Sequence, residues 1–285
     1  MKPTGKRIKS FLLRFSLLPL LLLGVGGYAP IVLAQSAGTF IPTGNMITHR
    51  HSHSATLLQN GKVLITGGWS NSTLLASAEL FDPDTGTFSA TGNMTTPHFN
   101  HSATLLPDGR VLIAGGRVLD DGHPLDHPPA AAELYDPSTG TFTPTGRMVR
   151  PQAGNTSTLL NNGKVLISGT CQDWFYTDAD AEGDRPELYD PVTGTFNAAG
   201  QDGRSPRWCS GPVVLLANGK VLVATGELYD PATDTFSSTG PRKMIGFWGA
   251  TATLLTNGKV LVAGGTSDLG DSTKGELYDL SLIHI

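Results

Sequence analysis

Apolar positions in this chain come in short runs separated by Gly, Asn, Asp and Pro, and beyond the first residues no stretch holds a helical period. The run Ala55 to Gly68 returns as Ala103 to Gly116, Ser157 to Thr170, Val213 to Gly226 and Ala252 to Gly265. In each copy two apolar segments flank Asn60-Gly61, Asp108-Gly109, Asn162-Gly163, Asn218-Gly219 or Asn257-Gly258. That dipeptide favours the positive φ angles of a two-residue hairpin turn, so each copy predicts a strand pair. A second run, Glu79 to Phe88, alternates with the first and returns as Glu133 to Phe142, Glu187 to Phe196 and Glu227 to Phe236; only its start, Glu276 to Asp279, appears in the fifth copy. It predicts another strand pair, turning at Asp82-Pro83 through Gly86.

Repeated self-similarity of this kind decides the architecture before any single residue does. Successive copies start 48, 54, 56 and 39 residues apart, so length varies between the strand pairs and not within them. The first strand, rich in Ala, Ser and Thr, suits an innermost position. The second, such as Val63 to Ile65, is apolar on both faces and must lie between neighbouring sheets. Phe81, Tyr135, Tyr189, Tyr229 and Tyr278, with Phe88, Phe142, Phe196 and Phe236, are expected to fill the gaps between sheets.

With its double glycine after the second strand and its aromatics in the later strands, the chain resembles the kelch repeat family over residues 38 to 280. The resemblance implies an all-β propeller of four-stranded blades, with five units starting near residues 52, 100, 154, 210 and 249. Three departures stand out. The fourth strand ends in Phe where many kelch units carry Trp, blade three has Gly169-Thr170 for the glycine pair, and blade four runs from Thr225-Gly226 almost directly into Glu227. Residues 38 to 46 copy Gly86 to Met94, an orphan fourth strand that could complete the fifth copy, whereas Leu280 to Ile285 fits no part of the repeat. The expectation is a truncated six- or seven-bladed ring with an atypical tail over 281–285, and the other reading is true five-blade closure.

Charge and cysteine content bear on location. Lys2, Lys6, Arg7, Lys9 and Arg14 form a basic head and Phe11 to Val25 is an almost unbroken apolar run, with Val32 and Ala34 as small residues before Gln35, so residues 1 to 34 read as a signal peptide. Its loss takes five basic residues from 20 and leaves 15 against 24 acidic ones, a net charge of −9. Such a surface excludes nucleic acid as a partner, and no membrane association is expected after cleavage. Cys171 and Cys209, the only cysteines, either pair or remain free buried thiols.

Topology sorts the unusual residues. In an up-and-down blade, one rim holds the tight turns and the other the long connections, where binding residues concentrate. Trp69, Trp174, Trp208 and Trp248 all fall in the long connections, as do Arg117, His123, Tyr176, Arg207, both cysteines and most histidines. These eight form a candidate binding rim for an extracellular protein or glycan, Trp being both a hot-spot residue and a platform for sugar rings. The alternative is that the tryptophans plug the mouth of the propeller. His53 and His101 share one repeat position, with Asn155 in blade three, which favours a hydrogen-bonding role over metal ligation. Asp178, Asp180 and Glu182, followed by Gly183, look like the start of a calcium loop, although Glu187 comes too early to close one; a solvated acidic loop is the other reading. Kelch propellers also form the central domain of galactose oxidase-like copper enzymes, but their copper constellation of two Tyr, two His and a Tyr–Cys crosslink does not map onto this sequence. Two functions follow: a non-catalytic extracellular interaction module, or a fragment of a secreted carbohydrate-active or copper-dependent oxidase.

Overall fold

Each repeated pair of apolar runs folds as an antiparallel hairpin, and two hairpins join edge to edge into one blade. The computed structural model describes residues 38–117, 119–120, 123–124, 131–149, 156–168, 186–200, 212–223, 226–239, 250–267, 270–271 and 275–279. The chain divides into two compact units, Met1–Pro42 and Thr43–Ile285. In the first, residues 38–42 carry no regular structure. Among the described residues no helix is long and apolar enough to cross a membrane.

The second unit is all-β. Blade one runs Ser54–Leu57, Val63–Thr66, Ala78–Asp82 and Thr87–Ala90 in sequential antiparallel order. Blade two repeats this with Ser102–Leu105, Val111–Ala114, Ala132–Asp136 and Thr141–Pro144. Blade three has Thr156–Leu159, Val165–Ser168, Glu187–Asp190 and Thr195–Ala198; blade four has Val213–Leu215, Val221–Val223, Glu227–Asp230 and Thr235–Ser238. The fifth sheet has three described strands, Thr251–Leu254, Val260–Ala263 and Gly275–Tyr278. First strands of consecutive blades lie side by side, as their small side chains allow.

The tight turns differ from the expected two-residue form. Gly61 adopts φ +83° but Asn60 does not have a positive φ, and Gly61 N–H donates to Leu58 O at 3.0 Å while Leu58 N–H donates to Lys62 O at 2.8 Å. This is a three-residue loop with a left-handed glycine closing a bulge, and the Asn60 carboxamide is used to accept Lys62 N–H at 3.1 Å. A true two-residue turn with two positive φ angles occurs instead at Asn71 and Ser72, φ 45° and 66°, joining Trp69–Ser70 to Thr73–Leu74.

Between blades the second and third strands supply the core. Leu58, Leu64, Ala78 and Met94 of blade one's side pack with Val111, Ile113, Tyr135 and Phe142 of blade two, and the pattern recurs between blades two and three, three and four, and four and five. Tyr135, Tyr189 and Tyr229 are wholly buried, each about one ring width from its cross-strand Phe (centroids 4.8 Å). Apolar burial of this kind is the main favourable term in folding. Tyr135, Tyr189, Tyr229, Phe142, Phe196 and Phe236 are therefore core as expected, whereas Phe81, Phe88 and Tyr278 are only half-buried.

The joints between blades are made largely of main chain. Gly44, Gly92 and Gly146, which follow the fourth-strand sequence, donate N–H to Gly86 O, Gly140 O and Gly194 O of the next blade at 2.7, 2.9 and 2.9 Å. A Cβ on Gly92 would sit 2.2 Å from Gly140 O, so only glycine permits this approach. In blades one to three a Glu at or next to the start of the third strand completes the joint: Glu79 accepts N–H from Ile47 and Thr48, Glu133 from Thr95 and Thr96, and Glu187 from Val149. Residues 38–46, a fourth strand by sequence, carry no strand here; from Gly44 onward the segment makes the same joint as the later linkers.

Candidate functional site

The long connections of blades one and two hold the best-described part of the rim. Trp69 opens the small hairpin that leads from the second strand to the third, and its main chain is paired in both directions with His51 at 3.0 and 2.8 Å. Phe99 is paired in the same way with Arg117, at 3.2 and 2.9 Å. The two pairs meet edge to face, with the Trp69 and Phe99 rings 5.3 Å apart at 75°. All three of Trp69, Phe99 and Arg117 are half-buried, while His51 is exposed. His49 Nε2 and Ser70 Oγ bond at 3.0 Å, tying the incoming segment to the hairpin. Ser52 and Asn100, at one repeat position, hold φ 55° and 52°, a left-handed conformation uncommon for residues other than glycine.

Beneath this surface lies a buried polar layer. Arg50 has no side-chain exposure and donates to Glu79 at 2.7 Å, to Gly67 O at 2.8 Å and to Ser77 O at 2.9 Å. Burial alone would raise the Glu79 carboxyl, but the Ile47 N–H, the Arg50 guanidinium and the Thr48 N–H outweigh it and hold it below the usual range. His101 Nε2 bonds Ser54 Oγ at 3.0 Å and Thr66 Oγ1 at 2.9 Å, linking blade two to blade one. Burial, helped by His98 and His53, brings His101 down to about 3. His98 is also lowered by burial, against the opposing charge of Glu133, and His53 by burial and Arg50. The histidines of this layer are thus neutral structural groups at neutral pH.

Residues 50–95 match the Kelch motif. The match spans blade one, and no curated protein matches the chain in sequence. Among solved structures, the chain is similar to a novel fungal alcohol oxidase of the AA5 family in complex with copper, at 18% identity and TM-score 0.53, covering 86% of this chain and 66% of that one. It thus spans just under two thirds of that oxidase. It is also similar to the structure of YjhT, at 13% identity and TM-score 0.57, covering 82% of each. At these identities the likeness is one of fold, and the four-stranded antiparallel sheets are consistent with kelch propeller blades.

The kelch rim predicted from sequence is only partly in view. Trp69 and Arg117 fall together as described, and His123 pairs in main chain with Asp120 on a second short hairpin. Trp174, Tyr176, Arg207, Trp208, Trp248, the acidic residues Asp178, Asp180 and Glu182, and Cys171 and Cys209 lie outside the described residues. Among the described residues no cluster of three or more metal-binding side chains occurs. Sequence reasoning counted His51 among the rim histidines without making it a candidate, and missed Phe99. The signal was available: both precede the first strand by the same interval, a position that Trp248 fills in blade five.

Proposed function

We propose that the chain is a non-catalytic interaction module of the extracellular space that takes a protein or glycan partner on its long-connection rim. The observation that carries this reading is Trp69, half-exposed yet held by Phe99 and by main-chain pairing on both sides. A side chain already ordered loses little freedom on binding, and an exposed indole face suits a sugar ring or a protein pocket. Arg117 and His123 extend the surface, and Trp174, Tyr176, Arg207, Trp208 and Trp248 are proposed to continue it. The extracellular location rests on the basic head and apolar run of residues 1–34. Calcium held by Asp178, Asp180 and Glu182 is proposed as an accessory, and it would show as a calcium-dependent rise in Tm lost in Asp180→Ala.

The fold likeness to a copper-containing oxidase motivates a second reading, a fragment of a secreted oxidase. The phenols of Tyr135, Tyr189 and Tyr229 are already bonded to Thr91, Thr145 and Asp234 inside the blades, so they offer such chemistry nothing. Trp69→Ala separates the readings. It should weaken capture on a glycan array or in a pull-down from the extracellular milieu by about 2 kcal/mol while leaving the denaturation midpoint near wild type. Unchanged capture, or a loss that only follows unfolding, would sink the rim reading; copper uptake with alcohol-dependent peroxide release would replace it by the oxidase.

A further inference from the structure

Arg50 has a counterpart in blade two that cannot do its work. Arg50 stands 5 positions before Ala55, and the same count from Ala103 falls on His98. In blade one the guanidinium fills a place lined by acceptors, donating to Gly67 O at 2.8 Å, Ser77 O at 2.9 Å, Ser77 Oγ at 3.1 Å and Glu79 Oε1 at 2.7 Å. The repeat supplies matching acceptors in blade two as Gly115 O, Ala131 O and Glu133. The local main chain matches as well, since Gly115 N–H reaches Ala131 O at 3.4 Å as Gly67 N–H reaches Ser77 O at 3.1 Å. Blade two thus keeps the acceptors and lacks the guanidinium.

Glu133 is 2% exposed and accepts N–H from Thr95 and Thr96, at 2.8 and 3.1 Å. Glu79 accepts the equivalent pair from Ile47 and Thr48, and the guanidinium besides. Among the described residues no side chain donates to Glu133. His98, 1% exposed, lies within reach of the Glu133 charge, and its Nδ1 has no hydrogen-bond partner. An imidazole is shorter than an arginine arm and leaves the far end of that place to something else. A carboxylate withdrawn from water needs a partner charge, or its burial is costly. One negative charge is balanced by one positive charge, which selects a monovalent ion over a divalent one.

We propose that blade two binds a monovalent cation, potassium or ammonium, in the place that the Arg50 guanidinium fills in blade one, with Glu133, Gly115 O, Ala131 O and His98 Nδ1 as its acceptors. Both ions bring a single charge to oxygen acceptors, and a neutral imidazole presents a lone pair at Nδ1 when its proton is on Nε2. The segment that closes the site runs from Thr95 to Phe99, and within it His98 O accepts Gly68 N–H at 2.8 Å, next to Trp69. A bound ion would therefore steady the segment that backs Trp69. That consequence rests on the rim reading; the site itself does not.

The test melts the full chain in potassium chloride, ammonium chloride and tetramethylammonium chloride at one ionic strength, the last ion being bulky and without an N–H to donate. Tm should stand about 2–4 °C higher in potassium or ammonium, with a rise that saturates as one site fills. His98→Arg supplies the guanidinium from the chain itself, as blade one does. Its Tm should match or exceed that of the wild type and no longer depend on the cation. Glu133→Gln removes the charge and should lose the dependence too. Equal melting of the wild type in all three salts overturns the cation and leaves water in its place, and a response that survives in either variant overturns the location. No rim ligand is used, so failure of the rim reading and failure of the site are distinguishable.

Discussion

Arg50 brings a full charge into a place where its side chain has no solvent contact, and Glu79 meets it there with 3% exposure. A pair buried so completely is costly to break from one side. Arg50→Ala leaves the carboxylate with only two N–H donors and should lower unfolding free energy by about 3–5 kcal/mol in urea denaturation. Removal of the exposed Lys62 partner of Asp82 should leave the midpoint nearly unchanged. The histidines set an acid limit. With folded pKa values of His53, His98 and His101 depressed below the ordinary 6.5, the unfolded chain takes up protons that the folded chain refuses. Their contribution is complete above pH 6.5 and declines as the pH falls toward the value of about 3 for His101. His101→Asn, the residue found at the same position in blade three, should flatten that decline; denaturation midpoints across the acid range test it.

At the scale of the element, blade four shows how one joint is rebuilt when two of its residues change together. In blades two and three the buried phenol bonds a Thr of the preceding linker, Thr91 to Tyr135 at 2.8 Å and Thr145 to Tyr189 at 2.9 Å. The next linker has Ala199 in that place, and the turn glycine of blade four is Asp234, in a left-handed conformation at φ 52°. Asp234 Oδ1 accepts both the Tyr229 hydroxyl and Gly200 N–H at 2.9 Å, which replaces the lost Thr and the lost glycine carbonyl contact. Asp234→Gly alone orphans the phenol and should cost about 1–3 kcal/mol; with Ala199→Thr added, most of the loss should return, a coupling that a double-mutant cycle measures. The blade strands, their order and most of the aromatic core were legible in the sequence, because alternation and turn residues act locally, whereas residues 38–46 copy a fourth strand without forming one. The turn geometry at Asn60-Gly61 was misread since both loop types use the same dipeptide, and the hairpin at Asn71-Ser72 has no glycine to announce it. Trp69 was found by its residue type, whereas Phe99 was passed over although it stands at the repeat position that Trp248 fills in blade five.

Over the whole propeller unit, burial changes from blade to blade at matched positions. Leu222 and Leu228 of blade four are 2% and 7% exposed, whereas their counterparts in blade five, Leu261 and Leu277, are 40% and 53% exposed. The same substitution should therefore have different outcomes. Leu222→Gln buries an unpaired amide and should cost several kcal/mol, on the order of 2–5, while Leu261→Gln should stay within about 0.5 kcal/mol and reduce aggregation. Parallel denaturation curves and light scattering check both; equal losses would mean that the blade-five face is covered in solution.

The joints built on Gly44, Gly92 and Gly146 have a consequence for how such a chain can change. Donor and acceptor are peptide groups, and the receiving carboxylate grips peptide N–H, so the connection between one unit and the next needs only a few recurring residues, the linker Gly and the third-strand Glu above all. A unit excised at one Thr-Gly and reinserted at another would carry both halves of its joint with it. Interchangeable parts of this kind let the long connections lengthen or shorten while the joints beneath them stay as they were.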